Sequence, residues 1–457
     1  MTIPVRIRAV FKDRVASPIG MAFVADLMDS WLRQYGEKLA RLVNDGDNPF
    51  LSELVNYCRS LWISSDFGDG EKFDEVAAVD GGLMRFRLAN GGSLVLAAAY
   101  AYGPEIEERD FRCVVAYPPN TKYAGLLMKS LELKVARKTL KHLSSNGLLL
   151  LDGSLYGLFS TPPITPTNTP SDYGELLISF FEDLAEFLDE AMHSQVKVAS
   201  IAKISSSSSL RDYIITRQHA EEVKQIKQSG YVEPEDMQSI ENILYSAFRN
   251  PGIAVKTVEN LKTKYGRKLE NLVKIIRETS FKTPDLLLLK NCCTDIGYSA
   301  PLLLGASSRL RDIHLLATRD PDQFAENRLR LPPDKSQQIY QVFNRLQALP
   351  AVVSSYVKFD SRDYPLKIDL PVFTLDSDER FFETDVPKLF KNRDKFLKIV
   401  SALKQMYGSK EVYNVWLYEA DRRARLRKAD APILLELVDK ALGPVELSRR
   451  QLPEPPA

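Results

Sequence analysis

The chain has 457 residues, 44% of them hydrophobic and 26% charged, which excludes a wholly disordered, collagen-like or coiled-coil protein. Length alone suggests about three 150-residue units, although an α/β fold with long insertions can hold such a chain in one body. With 61 Lys+Arg against 60 Asp+Glu the formal net charge is +1, so an anionic partner has to be held by a local basic patch and not by a global field.

The longest apolar runs, such as LVLAAA at 94–99, fall far short of the ~20 residues that span a bilayer. The N-terminus MTIPVRIRAVFKDRV lacks the uninterrupted apolar segment of a signal peptide, so no membrane association and a cytoplasmic location are expected. Cys58, Cys113, Cys292 and Cys293 show no CxxC spacing, and reduced, mostly buried thiols are expected. His142, His193, His219 and His314 are scattered, which argues against a histidine-rich zinc site. A metal, if bound, has to be carried by carboxylates.

Residues 20–62 read as two helices, with apolar residues at three and four (Met21, Val24, Leu27, Met28, Trp31; then Leu51, Leu54, Val55, Cys58, Leu61). EVAAVD is a short apolar strand expected to stop at Gly81 and Gly82. MRFRLA alternates, Gly91-Gly92 suits a hairpin turn, and SLVLAAAYAYG and FRCVVAYP read as further strands. Helical spacing returns over 122–143, and LLLLDGS at 148–154 is a continuously apolar strand of the kind buried on both faces. The order is β-β-β-α-β. A Pro/Thr loop at 160–170, a helix through Leu176 to Leu188 and a strand at 196–205 continue the α/β pattern. Residues 218–280 are polar and helix-rich, and DLLLLK at 285 reads as the return of the strand pattern. Strands near 298–304, 352–359 and 365–375 follow, then helices at 388–406 and 414–426 and the tail LPEPPA. The expected fold class is α/β, a mixed sheet flanked by helices. It divides into an N-terminal helical extension (1–70), a core in two parts (71–217 and 284–430), a helical insertion (218–283), and a C-terminal helix and tail (431–457).

Two strands end in the same way, Val79-Asp80-Gly81-Gly82 and Leu151-Asp152-Gly153-Ser154. A carboxylate where a buried strand leaves the core is costly unless it is hydrogen-bonded or metal-bound, and a neighbouring glycine lets a ligand or a second backbone come close. Asp-Gly is also ordinary turn chemistry. Glu132, one step after Leu131 on the intervening helix, borders the apolar face and can reach the sheet, or else pairs with Lys129 or Arg137. Converging carboxylates without a cysteine or histidine cluster suit Mn²⁺ or Mg²⁺, and two such ions about 4 Å apart would serve phosphate chemistry. Tyr100, Tyr102, Tyr117, Tyr123 and Tyr156 lie close in sequence to these acids and receive no role. No Walker A motif occurs, so the chain should not power translocation.

A strand ending V-D-G-G, a hairpin, a helix carrying Glu132, a strand ending L-D-G-S-L and a strand ending A-K-I-S together resemble the NurA nucleases. S-Y-V-K-F at 355–359, Y-P-L-K-I-D-L-P at 364–371 and E-A-D-R-R-A-R-L at 419–426 extend the likeness over roughly 75–426. The resemblance implies an RNase H-like fold and a Mn²⁺- or Mg²⁺-dependent nuclease with two ions. By the same likeness Asp80, Glu132 and Asp152 would be metal ligands and Lys203 the strand-end lysine. The family often has a histidine where this chain has Asp421, which would be the fourth ligand. Arg422, Arg423, Arg425, Arg427 and Lys428 form a basic cluster suited to phosphate contacts, and Lys358 is a further candidate DNA contact.

The resemblance further implies 5′-to-3′ exonuclease and single-strand endonuclease activity in double-strand-break end resection. It implies a homodimer acting on single- and double-stranded DNA and docked on a HerA-type hexameric ATPase. Two other readings stand beside this one. One is a catalytically inactive RNase H-like subunit that binds DNA or the motor. The other is an actin-like ATP-binding protein, for which the D-G-x flanks are wrong.

Overall fold

The computed structural model describes residues 28–29, 31–32, 34–37, 48–160, 169–281, 283–443 and 445–448. The start of the first expected helix, most of the Pro/Thr loop and the tail LPEPPA lie outside them. The chain divides into two compact units, Met1–Ser52 and Glu53–Ala457. In the first, the described residues from 28 to 37 are helical, with the rings of Trp31 and Tyr35 5.3 Å apart.

After helix α1 (Leu51–Ser60) come strands β1 (Trp62–Ser64), β2 (Val76–Arg87), β3 (Ser93–Gly103) and β4 (Ile106–Ala116), helix α2 (Thr121–Leu140) and strand β5 (Leu148–Asp152). Helices α3 (Leu155–Ser160) and α4 (Tyr173–His193) lead to β6 (Lys197–Ala202). A run of helices follows: α5 (Ser209–Ser229), α6 (Pro234–Arg249), α7 (Pro251–Tyr265), α8 (Glu270–Glu278) and α9 (Asp285–Cys292). Then come β7 (Gly297–Ser299), β8 (Leu302–Leu304), α10 (Ser308–Arg319), α11 (Ser336–Arg345), β9 (Val352–Lys358), β10 (Leu366–Pro371) and β11 (Lys388–Leu389). Helices α12 (Arg393–Gln405), α13 (Val415–Ala424) and α14 (Ala431–Leu442) come last.

The strands form one mixed sheet in the order β1-β7-β9-β10-β6-β5-β2-β3-β4, with β8 pairing β9 and β11. Pairs β2/β5 and β5/β6 are parallel and the other pairs are antiparallel. Alternate residues of the central strands feed two cores. Ala77, Val79, Leu149 and Leu151 pack under α2 and α4 with Leu131, Val135, Phe181 and Leu184. Val76, Ala78, Leu148 and Leu150 pack under α12 and α13 with Phe396, Val400, Leu417 and Ala420. Helices on both faces are why these strands read as continuous apolar runs instead of alternating ones.

The structure departs from the sequence expectations in five places. Strand β2 does not stop at Gly81-Gly82 but runs through them to Arg87, because β3 continues to pair opposite, with Gly81 facing Ala99 and Gly82 facing Ala98. DLLLLK is helix α9, not a strand. Pro284 precedes it, Leu288 and Cys292 form a buried i,i+4 stripe, and the Asp285 carboxylate accepts the N–H groups of Leu210 and Arg211 at the start of α5. The insertion's first helix begins at Ser209, ahead of the expected boundary at 218. The segment before residue 70 is not all helix, since β1 pairs with β7 at the sheet edge. Helix α12 starts at Arg393 and not 388, where the Asn392 side chain accepts the Lys395 N–H and caps it. Among the described residues no helix is long and apolar enough to cross a membrane.

Candidate metal centre

Parallel pairing sets Val76–Val79 against Leu148–Leu151. One step further along each strand stand Asp80 and Asp152. Because side chains repeat every two residues, both lie on the face of Ala78 and Leu150, toward α12 and α13. Asp80 is buried, while Asp152, at the strand end, keeps its side chain 25% exposed.

Helix α2 crosses the other face of β2 and brings in Glu132, which is buried next to Leu131. A Cβ at Gly81 would strike Glu132 Oε1 and Met128, and a Cβ at Gly82 would strike the carbonyl oxygen of Ala424 at the end of α13. The two glycines after Asp80 therefore admit two different helices, one on each face of the strand.

Lys129 Nζ donates to Glu132 Oε2 at 2.5 Å and to the carbonyl oxygen of Asp152 at 3.2 Å. Arg137, the alternative partner, is engaged by Glu186 and Glu190. Glu132 Oε1 is buried and has no hydrogen-bond partner among the described residues. Asp80 Oδ1 accepts the Gly81 N–H at 2.7 Å. Burial, and then the charges of Asp152 and Glu132, push the Asp80 carboxyl up to about 8. Burial also raises Glu132, against the opposing pull of Lys129. These acids repel one another in a dry setting, which is unfavourable without a cation.

Asp152 Oδ1 accepts the Tyr413 hydroxyl at 2.5 Å and lies 3.8 Å from Lys203 Nζ, which rests over the Tyr413 ring at 4.3 Å. Burial, and then Asp152, hold the Tyr413 phenol far above its usual range. Lys203 and Tyr413 share a cavity of about 270 Å³ with Asp421, whose carboxylate is ion-paired to Arg425. Asp80, Asp152 and Lys203 thus lie on the Tyr413 side of the sheet, with Glu132 reaching Gly81 from the opposite face and Asp421 on the wall of the adjoining cavity.

The basic cluster is exposed, and three of its members are paired. Arg422 binds Glu419, Arg425 binds Asp421, and Arg423 meets Glu107 and the Tyr100 hydroxyl while lying 4.5 Å from the Tyr102 ring centre. Lys358 is not a surface contact. It is buried, and its ammonium donates to the carbonyls of Cys293 and Thr294 at 3.2 Å each, at the C-terminal end of α9.

Sequence reasoning gave no place to Tyr413 or to a second network below the site. Ser154 donates to Asp369 Oδ2 at 2.6 Å, which also accepts the Tyr156 N–H at 3.1 Å, and Ser354 donates to Asp369 Oδ1 at 2.6 Å. Lys367 Nζ lies 3.0 Å from Ser154 Oγ and 3.3 Å from Asp369 Oδ1. A lysine and an aspartate two apart in an apolar strand share one face, and that was the available signal.

Among the described residues no three Asp, Glu, His or Cys side chains converge closely enough to coordinate an ion as they stand. The donors nevertheless suit a hard divalent cation: they are all oxygens, and one of them, Glu132 Oε1, is buried without a hydrogen-bond partner among the described residues and lies against Gly81, where a Cβ would displace it. A mixed sheet flanked by helices, with Asp80 and Asp152 on adjacent parallel strands and Glu132 on a crossing helix, defines a mixed α/β protein.

Residues 74–426 match the NurA domain. The crystal structure of the NurA nuclease from Sulfolobus solfataricus superposes with a TM-score of 0.51 at 12% identity, covering 91% of this chain and 97% of that one. A crystal structure of NurA with manganese aligns at 16% identity and a TM-score of 0.42, covering 91% and 98%. No curated protein sequence matches significantly. The chain belongs to the NurA family.

Proposed function

We propose that this protein is a divalent-metal-dependent DNA nuclease, a 5′-to-3′ exonuclease and single-strand endonuclease. It would act in double-strand-break end resection as a cytoplasmic homodimer served by a HerA-type hexameric ATPase. The observation that carries the reading is the side-by-side placement of Asp80 and Asp152, with the buried, unpartnered oxygen of Glu132 beside them. Membership of the NurA family supports it.

In this reading Asp80, Glu132, Asp152 and Asp421 hold Mn²⁺ or Mg²⁺, two ions in all. When bound, such ions lower the pKa of an attacking water and stabilise a leaving 3′ oxygen. The protein's own groups do the rest. Tyr413 fixes the rotamer of Asp152 through its hydroxyl. Lys203, with its side chain 44% exposed and its ammonium above the Tyr413 ring, is placed to neutralise charge on the phosphate. Arg423 with Tyr100 and Tyr102 offers a charged and aromatic surface on which a single strand can lie. For Asp421 to serve as a ligand it has to leave Arg425. That pairing, with the wide spacing of the acids among the described residues, favours an inactive, DNA- or motor-binding subunit.

Cleavage of single-stranded DNA labelled at its 5′ or 3′ end, with Mn²⁺ or with EDTA, separates the two. The nuclease reading expects metal-dependent release of the 5′ label, lost in Asp80→Ala. Equal silence of wild type and variant, with and without a HerA-type motor, would sink it in favour of the inactive subunit.

A further inference from the structure

Lys129 lies one helical turn before Glu132 on α2, and its ammonium points into the acid cluster. It donates to Glu132 Oε2 at 2.5 Å and to the carbonyl oxygen of Asp152 at 3.2 Å, and passes close over Gly153, where a Cβ would lie 3.6 Å from Nζ. It satisfies only half of the Glu132 carboxylate, since Oε1 keeps no partner. Its side chain is 24% exposed, so the flexible four-carbon stem has a way to swing the ammonium toward water.

We propose that Lys129 is the resident cation of the metal-free centre: its ammonium, held by the Glu132 carboxylate and the main-chain carbonyl of Asp152, stands in for the divalent ion that these acids take on loading, and withdraws as the ion enters. The proposal rests on the metal-nuclease reading and deepens it. Two physical points carry it. A single positive charge offsets the repulsion of three acids when no metal is present, which keeps the empty site folded. The same charge, a few ångströms from the ion's place, opposes metal entry by ordinary Coulomb repulsion. Lys129 thereby sets a threshold metal concentration below which the centre stays closed. A lysine that merely holds Glu132 in position has the opposite signature, because its loss loosens a ligand and weakens metal binding.

The test is Mn²⁺ binding by the full chain at fixed pH, followed by the electron paramagnetic resonance of free Mn²⁺ and by calorimetry, with thermal melting alongside. Lys129→Met should bind Mn²⁺ roughly tenfold more tightly than wild type and melt lower without metal, and the melting gap should close at saturating Mn²⁺. Lys129→Gln, which keeps a polar end if the methionine variant folds poorly, should shift affinity in the same direction, and Lys129→Arg should leave it at or below the wild-type level. Unchanged or weaker binding in both uncharged variants overturns the proposal. Asp80→Asn separates the two levels of the argument. If it abolishes Mn²⁺ binding while Lys129→Met does nothing, only the role of Lys129 falls. If no chain shows binding that depends on Asp80, the metal reading falls and takes the proposal with it.

Discussion

Two groups of buried carboxylates occupy the same sheet, and they are treated in opposite ways. Asp369, on β10, accepts hydrogen bonds from Ser154, Ser354 and the Tyr156 N–H and sits beside Lys367. Asp80 and Glu132, a few strands away, are buried beside a third acid, and Glu132 Oε1 has no hydrogen-bond partner among the described residues. A fully satisfied buried charge is a structural device, and an under-satisfied one is a place kept for something else. Ser154 joins the two regions, because it follows Asp152 by two residues and hands its hydroxyl to Asp369. The strand-end turn that presents Asp152 is thus anchored on the satisfied network, while the acid itself projects into the unsatisfied one.

Breaking the satisfied side should have the largest effect on folding. Asp369→Ala leaves the buried Lys367 ammonium unpaired and should cost about 3–5 kcal/mol, read as a lower urea midpoint at unchanged slope. The unsatisfied side should respond the other way. Asp80→Asn replaces a buried carboxyl that burial and the neighbouring acids hold protonated, so the metal-free protein should melt no lower than wild type, while metal-dependent cleavage of labelled DNA falls by more than about 100-fold, the upper end of what loss of an outer-shell partner costs a metal site. Equal destabilisation by both variants would erase the contrast. Gly81→Ala tests how the acids are brought together. The added Cβ meets Glu132 Oε1, so Mn²⁺ affinity in a calorimetric titration should drop by about 10–100-fold, with Asp80 and Asp152 untouched.

Much of this arrangement was legible in the sequence, and the exceptions share a cause. The β-β-β-α-β order and the aspartates following the runs EVAAV and LLLL are local patterns, set by strand burial on both faces. Gly81-Gly82 reads locally as a stop, but the glycines are there because two helices approach the strand, and that approach is tertiary. DLLLLK is apolar enough for a buried strand, but it is a helix that buries Leu288 and Cys292 on one face and is held by Asp285 against the start of α5, 74 and 75 residues away. Tyr413 reaches Asp152 across 261 positions and Asp369 reaches Ser154 across 215, so no periodicity could pair them. Lys358 reads as a surface cation in sequence, whereas the carbonyls at the end of α9 take it into the core.

The same burial of Asp80 also implies a pair of opposite pH slopes. With its carboxyl raised to about 8, Asp80 stays protonated in the folded, metal-free protein at pH values where the unfolded chain has already released that proton. Folded stability from this group is therefore complete below the ordinary carboxylate range and is lost as pH rises through about 8. Metal binding runs the other way, because a ligand carboxylate has to give up its proton. Between about pH 6 and that value, Mn²⁺ affinity should rise by up to about tenfold per pH unit, then level off, while the melting temperature of the metal-free protein drifts down over the same window. In Asp80→Asn both slopes should flatten together. A wild-type affinity that is independent of pH across this range would mean that Asp80 is already ionised beside Lys129 and that the acids are less starved of partners than their burial implies.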